Sequence, residues 1–160
     1  MKKILFSLFI FIVLSNESLF CDDFYLKIYY LKAEKSKDSH SSEEYITVKG
    51  NDVTYSIFYT GTRGKYDVDT DKSCVFSNNN IENIKNTIIT GELNVTDSLF
   101  EENIKYKEFE IYCNINIDIR MGGNAYSIKI NGNIDEFHDK SLYKNTIFLI
   151  SIIREMLSGC

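Results

Sequence analysis

FEIYCNINIDIR, residues 109–120, is the stretch that decides the fold. Phe109, Ile111, Cys113, Ile115, Ile117 and Ile119 fall on one face of an extended chain, and Glu110, Tyr112, Asn114, Asn116, Asp118 and Arg120 on the other. Successive side chains of a strand point to opposite faces. An alternation this long therefore predicts one buried and one wet face, as in an antiparallel sheet covered on one side only. Gly122-Gly123-Asn124 follows with turn chemistry, closing a hairpin onto Ala125 to Asn131 with Tyr126, Ile128 and Ile130 inward.

The same reading extends in both directions. Phe24 to Ala33 is aromatic and β-prone, with Phe24, Leu26, Ile28 and Tyr30 on one face. Lys35 to Glu44 (KSKDSHSSEE) reads as a polar, Ser-rich loop. Tyr45 to Lys49 and Val53 to Tyr59 form a hairpin around Gly50-Asn51-Asp52, and Lys72 to Phe76 makes a short fourth strand. Ser77 is placed to cap a helix carrying Ile81, Ile84 and Ile88, with Gly91 as its stop. Leu93 to Lys107 has no dominant period. Ser141 to Leu157 is a second helix with Leu142, Thr146, Leu149, Ile150, Ile153 and Met156 toward the core, packed across the sheet against Ile115, Ile117 and Ile128. The expectation is an α+β domain: one antiparallel sheet of about six strands with two helices on one face, in the order β-β-β-β-α-β-β-α.

The N-terminus sets the expected compartment. Lys2 and Lys3 precede the apolar run Ile4 to Leu14, which Ser15-Asn16-Glu17-Ser18 ends. That is the pattern of a secretory signal peptide, too short for a spanning helix, which needs about 20 apolar residues. Residues 1–21 are read as the signal and 22–160 as a single domain, exported to a periplasmic or extracellular space. Cys21 admits a second outcome, acylation and membrane anchorage, although Leu19-Phe20 is a poor lipobox. Membrane association is expected only in that case.

The formal charge is −5, and residues 1–21 carry Lys2, Lys3 and Glu17, so the remainder stands at −6. No basic stripe is present, which argues against a nucleic-acid partner. The cysteines Cys21, Cys74, Cys113 and Cys160 show no zinc-site spacing. Export permits disulfides. Cys74 with Cys113 is the expected pair, since both sit on core-facing strand positions; the alternative is two separately buried thiols, with Cys160 free or joining two chains.

The candidate chemistry is sparse. Asp67, Asp69 and Asp71 alternate as calcium ligands can, but Lys72 replaces the turn glycine and Asn78 the bidentate Glu of an EF-hand loop. A solvated acidic turn is the plainer reading. His40 and His138 lie in loops without a nucleophile and orienting group in register. No cofactor motif is present, and Gly61-Thr62-Arg63-Gly64 reads as a turn. Tyr25, Tyr29 and Tyr112 fall opposite the predicted core, and exposed Tyr offers a large rigid contact with a polar tip.

The layout resembles that of small exported proteins of unknown function from AT-rich bacteria such as spirochaetes. The likeness is carried by the signal segment, the strand at Ile46 to Tyr59 ending in Tyr59-x-Gly61, the Ile81-x-x-Ile84 helix with Gly91, the Gly122-Gly123 hairpin and the final helix. It implies no activity. The expectation is a non-enzymatic exported domain that contacts a protein or envelope component through the exposed sheet face. The alternatives are a small hydrolase assembled from sequence-remote residues and a lipid-anchored envelope protein.

Overall fold

Cys113, Ile115, Ile117 and Ile119 all turn into the core, each at 1% exposure or less, so the alternation that begins the argument holds in three dimensions. The computed structural model describes residues 24–34, 40–60, 66–100 and 111–160, with the side chains of 66–69 excepted. Along the chain run β1 (Tyr25–Glu34), β2 (His40–Lys49), β3 (Asp52–Thr60), β4 (Tyr66–Val75), α1 (Asn78–Thr90), β5 (Thr96–Phe100), β6 (Ile111–Met121), β7 (Asn124–Asn133), a single-turn α2 (Ile134–Phe137) and α3 (Ser141–Ser158).

The strands form one sheet in the order β4-β3-β2-β1-β6-β7-β5. β1 is the hinge of this order. It pairs antiparallel with β2 on one side and β6 on the other, so Leu26, Ile28 and Tyr30 bridge Val48, Ile46 and Glu44 to Ile119, Ile117 and Ile115. α1 carries the chain from the β4 edge to the opposite edge, where β5 adds in parallel to β7. The fold is thus α+β, as expected, but with a mixed seven-stranded sheet and three helices. The two-helix, all-antiparallel expectation is corrected by β5 and α2. Both are short, and only Leu99 of β5 is even half-buried, so neither leaves a periodic trace.

The helices cover the face bearing Leu26, Ile46, Val53, Ile117 and Ile128. Ile81, Ile84 and Ile88 of α1 and Leu149, Ile150, Ile153 and Leu157 of α3 join that cluster. The outer side of α3 stays open to solvent, with Phe148 58% exposed. The Ser77 hydroxyl accepts from the Asn80 amide at 3.2 Å, the cap expected of it. The stop of α1 differs from expectation. Gly91 has φ −83°, whereas Glu92 takes the left-handed φ of 53°. The Leu93 amide donates to the Ile88 carbonyl and the Glu92 amide to the Ile89 carbonyl, a Schellman closure sealed by buried Leu93. What Gly91 provides is room: a Cβ there would meet Thr87 O at 2.9 Å and Asn145 Cβ at 3.3 Å.

Two further expectations are corrected. His40 to Glu44 is no loop but the first half of β2, paired on both sides from Ser41 onward. The fourth strand runs from Tyr66 to Val75 and not merely from Lys72. The Gly61–Gly64 turn lies outside the described residues, as do the signal segment and Cys21.

Cys74 does not meet Cys113. Cys74 lies on β4 and Cys113 on β6, four strand spacings apart, or roughly 19 Å, against the limit of about 7 Å for a bridge. Cys74 pairs instead with Cys160, at a Cα–Cα distance of 6.1 Å. Cys113 is a free buried thiol. The chain end is held in place: Leu157 is buried, and the amides of Gly159 and Cys160 donate to the carbonyls of Met156 and Leu157.

Candidate binding face

One whole face of the sheet carries no covering element among the described residues. Its central columns are set by register. Tyr29 stands beside Tyr45 on β2 and Asn116 on β6; Tyr45 stands beside Ser56 on β3, and Glu43 beside Phe58. The aromatic rings follow that register across three strands. Tyr29 and Tyr45 lie 5.1 Å apart, and Tyr45 meets Phe58 edge-on at 5.8 Å. Such tilted and edge-on contacts fix ring orientation beyond simple burial. The Tyr45 hydroxyl donates to Glu43 Oε2 at 3.0 Å, while its ring stays 40% exposed.

The three tyrosines marked from sequence all lie on this face, in three different settings. Tyr29 belongs to the aromatic run. Tyr25 lies four residues along β1 from Tyr29, under the Arg120 guanidinium, 5.4 Å from the ring centroid, a cation–π contact. Tyr112 lies across from Ala33, at the far end of β6, and its hydroxyl donates to Asn131 Oδ1. Beside it Asn116 donates to Asn114 at 3.1 Å, so a polar amide band flanks the aromatic run. The face's charges are mixed: Lys27, Lys49, Arg120 and Lys129 against Glu43, Asp52, Asp71 and Asp118. In the sequence Val53, Tyr55, Ile57 and Tyr59 alternate with Thr54, Ser56 and Phe58, which marks Phe58 as outward. Tyr45 alternates with buried Ile46 and carries the same signal.

The acidic run forms no described metal centre. Asp71 accepts a hydrogen bond from Ser56 at 3.0 Å, and the side chains of Asp67 and Asp69 lie outside the described residues. Among the described residues no group of three or more His, Cys, Asp or Glu converges. His40 and His138 are both exposed and stand on separate elements.

A second polar cluster lies on the helix side of the sheet, and no local pattern announces it. Glu44, 4% exposed, receives a bidentate pair from Arg154 of α3, with Nε at 2.9 Å from Oε2 and Nη2 on Oε1. The Arg154 guanidinium also stands 5.6 Å over the Tyr30 ring. Burial, and then the Glu44 carboxylate, push Tyr55 up to about 12. Burial and the neighbouring Tyr143 likewise raise Tyr30. For Arg154, burial works against its charge, but the Glu44 hydrogen bonds and charge prevail and raise it. Burial alone pushes the Cys113 thiol up to about 12, which makes it a small hydrophobe and not a nucleophile. The Glu44 and Arg154 charges answer one another, so this cluster ties α3 to the sheet.

No family model matches this chain, and no curated protein or solved structure matches it. No helix among the described residues is long and apolar enough to cross a membrane.

Proposed function

We propose that this chain is an exported binding domain that contacts a protein or an envelope component through the sheet face bearing Tyr29, Tyr45 and Phe58. The observation that carries this reading is the continuous aromatic run at the centre of a face that no described element covers. Solvated sheet faces ordinarily carry polar side chains, and large aromatics there mark interaction surfaces. The flanking Arg120–Tyr25 pair and the Asn114–Asn116 band supply a polar rim around an apolar centre, the usual anatomy of a recognition patch. Export rests on the N-terminal segment Lys2 to Cys21 and on the resemblance to small exported proteins of AT-rich bacteria.

The test is capture from envelope fractions with paired variants. Tyr45→Ala and Phe58→Ala should each abolish recovery of whatever the wild type retains, as truncation of anchoring aromatics costs about 2 kcal/mol or more. Phe148→Ala, on the exposed side of α3, should leave recovery unchanged. Equal loss with Phe148→Ala, or none with the sheet variants, overturns the reading. Mass spectrometry of the mature N-terminus decides the tether separately: a free Asp22 excludes acylation of Cys21.

A further inference from the structure

We propose that Asn94 is a site of N-linked glycosylation, open to the transferase in the folded chain. This goes beyond the sheet-face contact and draws only on the export read from residues 1–21. Of the fifteen asparagines, Asn16 and Asn94 alone head an Asn-x-Ser/Thr triplet, the acceptor sequence for this modification. Asn16 falls within the segment read as the signal. Asn94-Val95-Thr96 joins α1 to β5, at one edge of the sheet.

Leu93 is buried and Val95 packs against the core, whereas Asn94 and Thr96 are exposed. The two inward residues thus anchor the segment while the pair the reaction uses faces solvent. Neither the Asn94 amide nor the Thr96 hydroxyl hydrogen-bonds to another of the described residues, so no contact among them has to break before a transferase engages both. Glu92 adds a third element. It closes α1 with its left-handed φ of 53°, and its exposed side chain stands two residues before Asn94. Oligosaccharyltransferases of bacterial envelopes require an acid at that position, which a cationic group on the enzyme engages. Glu92-x-Asn94-x-Thr96 meets that requirement as well as the general one.

In the reaction the Asn94 side-chain nitrogen bonds to the anomeric carbon of an oligosaccharide carried on a polyprenyl diphosphate. The carbon–oxygen bond to the diphosphate breaks, the lipid diphosphate leaves, and the amide gives up one proton to a base of the transferase. The glycan then sits beside β5, which pairs with β7 alone among the described strands. Open strand edges invite pairing with other chains, and covering them prevents it. β7 and β6 stand between this edge and β1, so the glycan is rooted three strand spacings, roughly 14 Å, from the strand of Tyr29.

The test takes the purified full chain with its disulfide intact and adds a bacterial oligosaccharyltransferase in detergent with its polyprenyl-diphosphate oligosaccharide. Peptide mass spectrometry should find one oligosaccharide, on Asn94, in the folded chain. Asn94→Gln and Thr96→Ala should abolish it and Thr96→Ser should keep it. Glu92→Gln should slow it about tenfold or more, the loss of one charge-assisted hydrogen bond. All four variants should melt as wild type, since the replaced side chains are exposed. The proposal is overturned if the folded wild type stays unmodified, whether or not the urea-unfolded chain accepts the glycan. It is also overturned if Thr96→Ala is still modified or Glu92→Gln reacts at the wild-type rate. Because the transferase meets the purified chain directly, a failure of the export reading leaves this result unaffected.

Discussion

Glu44 and Arg154, 110 residues apart in the chain, form the one bidentate ion pair among the described side chains, and it fastens the last helix to β2. The two partners differ in setting: the Glu44 side chain is 6% exposed and that of Arg154 39%. Removing Arg154 therefore strands a buried carboxylate. Arg154→Met should cost about 2–4 kcal/mol, somewhat below the loss for a fully buried pair because the guanidinium retains solvent. The double variant Glu44→Leu/Arg154→Met should recover much of that loss, since no charge is then left unpaired. Urea midpoints at constant slope measure both.

Cys74–Cys160 closes more than half of the domain into one loop, with a sequence separation of 86 residues. Cys160→Ser should lower stability by up to about 4.5 kcal/mol in the chain-entropy account. Non-reducing peptide mapping should recover Cys74 joined to Cys160. Cys113 should resist iodoacetamide in the folded protein and react only in denaturant, since burial holds it as a thiol.

Alkaline pH should destabilise the fold in a defined window. Cys113 and Tyr55 ordinarily lose their protons near 9.0 and 10.0, and both are pushed up to about 12. Each keeps its proton longer when folded than when unfolded. Their contribution is therefore complete below pH 9 and is lost as pH rises from there toward 12. Denaturant midpoints should stay flat from neutral pH and then fall across that interval. Cys113→Ala and Tyr55→Phe should each make the fall shallower.

The end of α1 offers a stabilising substitution. Glu92 holds a left-handed φ of 53° that glycine adopts without cost, so Glu92→Gly should add about 0.5–1 kcal/mol. Gly91→Ala should destabilise, because its Cβ would press on Thr87 O and Asn145. Paired thermal melts separate these opposite effects on adjacent residues.

These particulars show where a sequence is legible. β6, β7, α1 and α3 could be read directly, because Cys113 to Ile119, Ile81 to Ile88 and Leu149 to Leu157 repeat at the period of their elements. Glu44 could not: its neighbours Ser41, Ser42 and Glu43 are polar, and its burial is made tolerable by Arg154 arriving from the far end of the chain and by Tyr55 on the adjacent strand. The cysteine partner failed for a related reason. Strand order, not strand identity, decides which cysteines meet, and β1 separates β2 from β6 in a way no local pattern announces. Of the aromatic run, Tyr29 and Phe58 were visible as outward positions, but their contact through Tyr45 depends on the β1–β2 and β2–β3 registers.

The proposed contact is made by the sheet face that no described element covers. Hydroxyl-radical footprinting of the chain, alone and with the partner captured from the envelope, tests it at the residue level. Tyr29, Tyr45 and Phe58 should become protected together, while Ile89 and Phe148 on the helix side keep their free reactivity. Protection of Ile89 and Phe148 with the three sheet aromatics unchanged would contradict it.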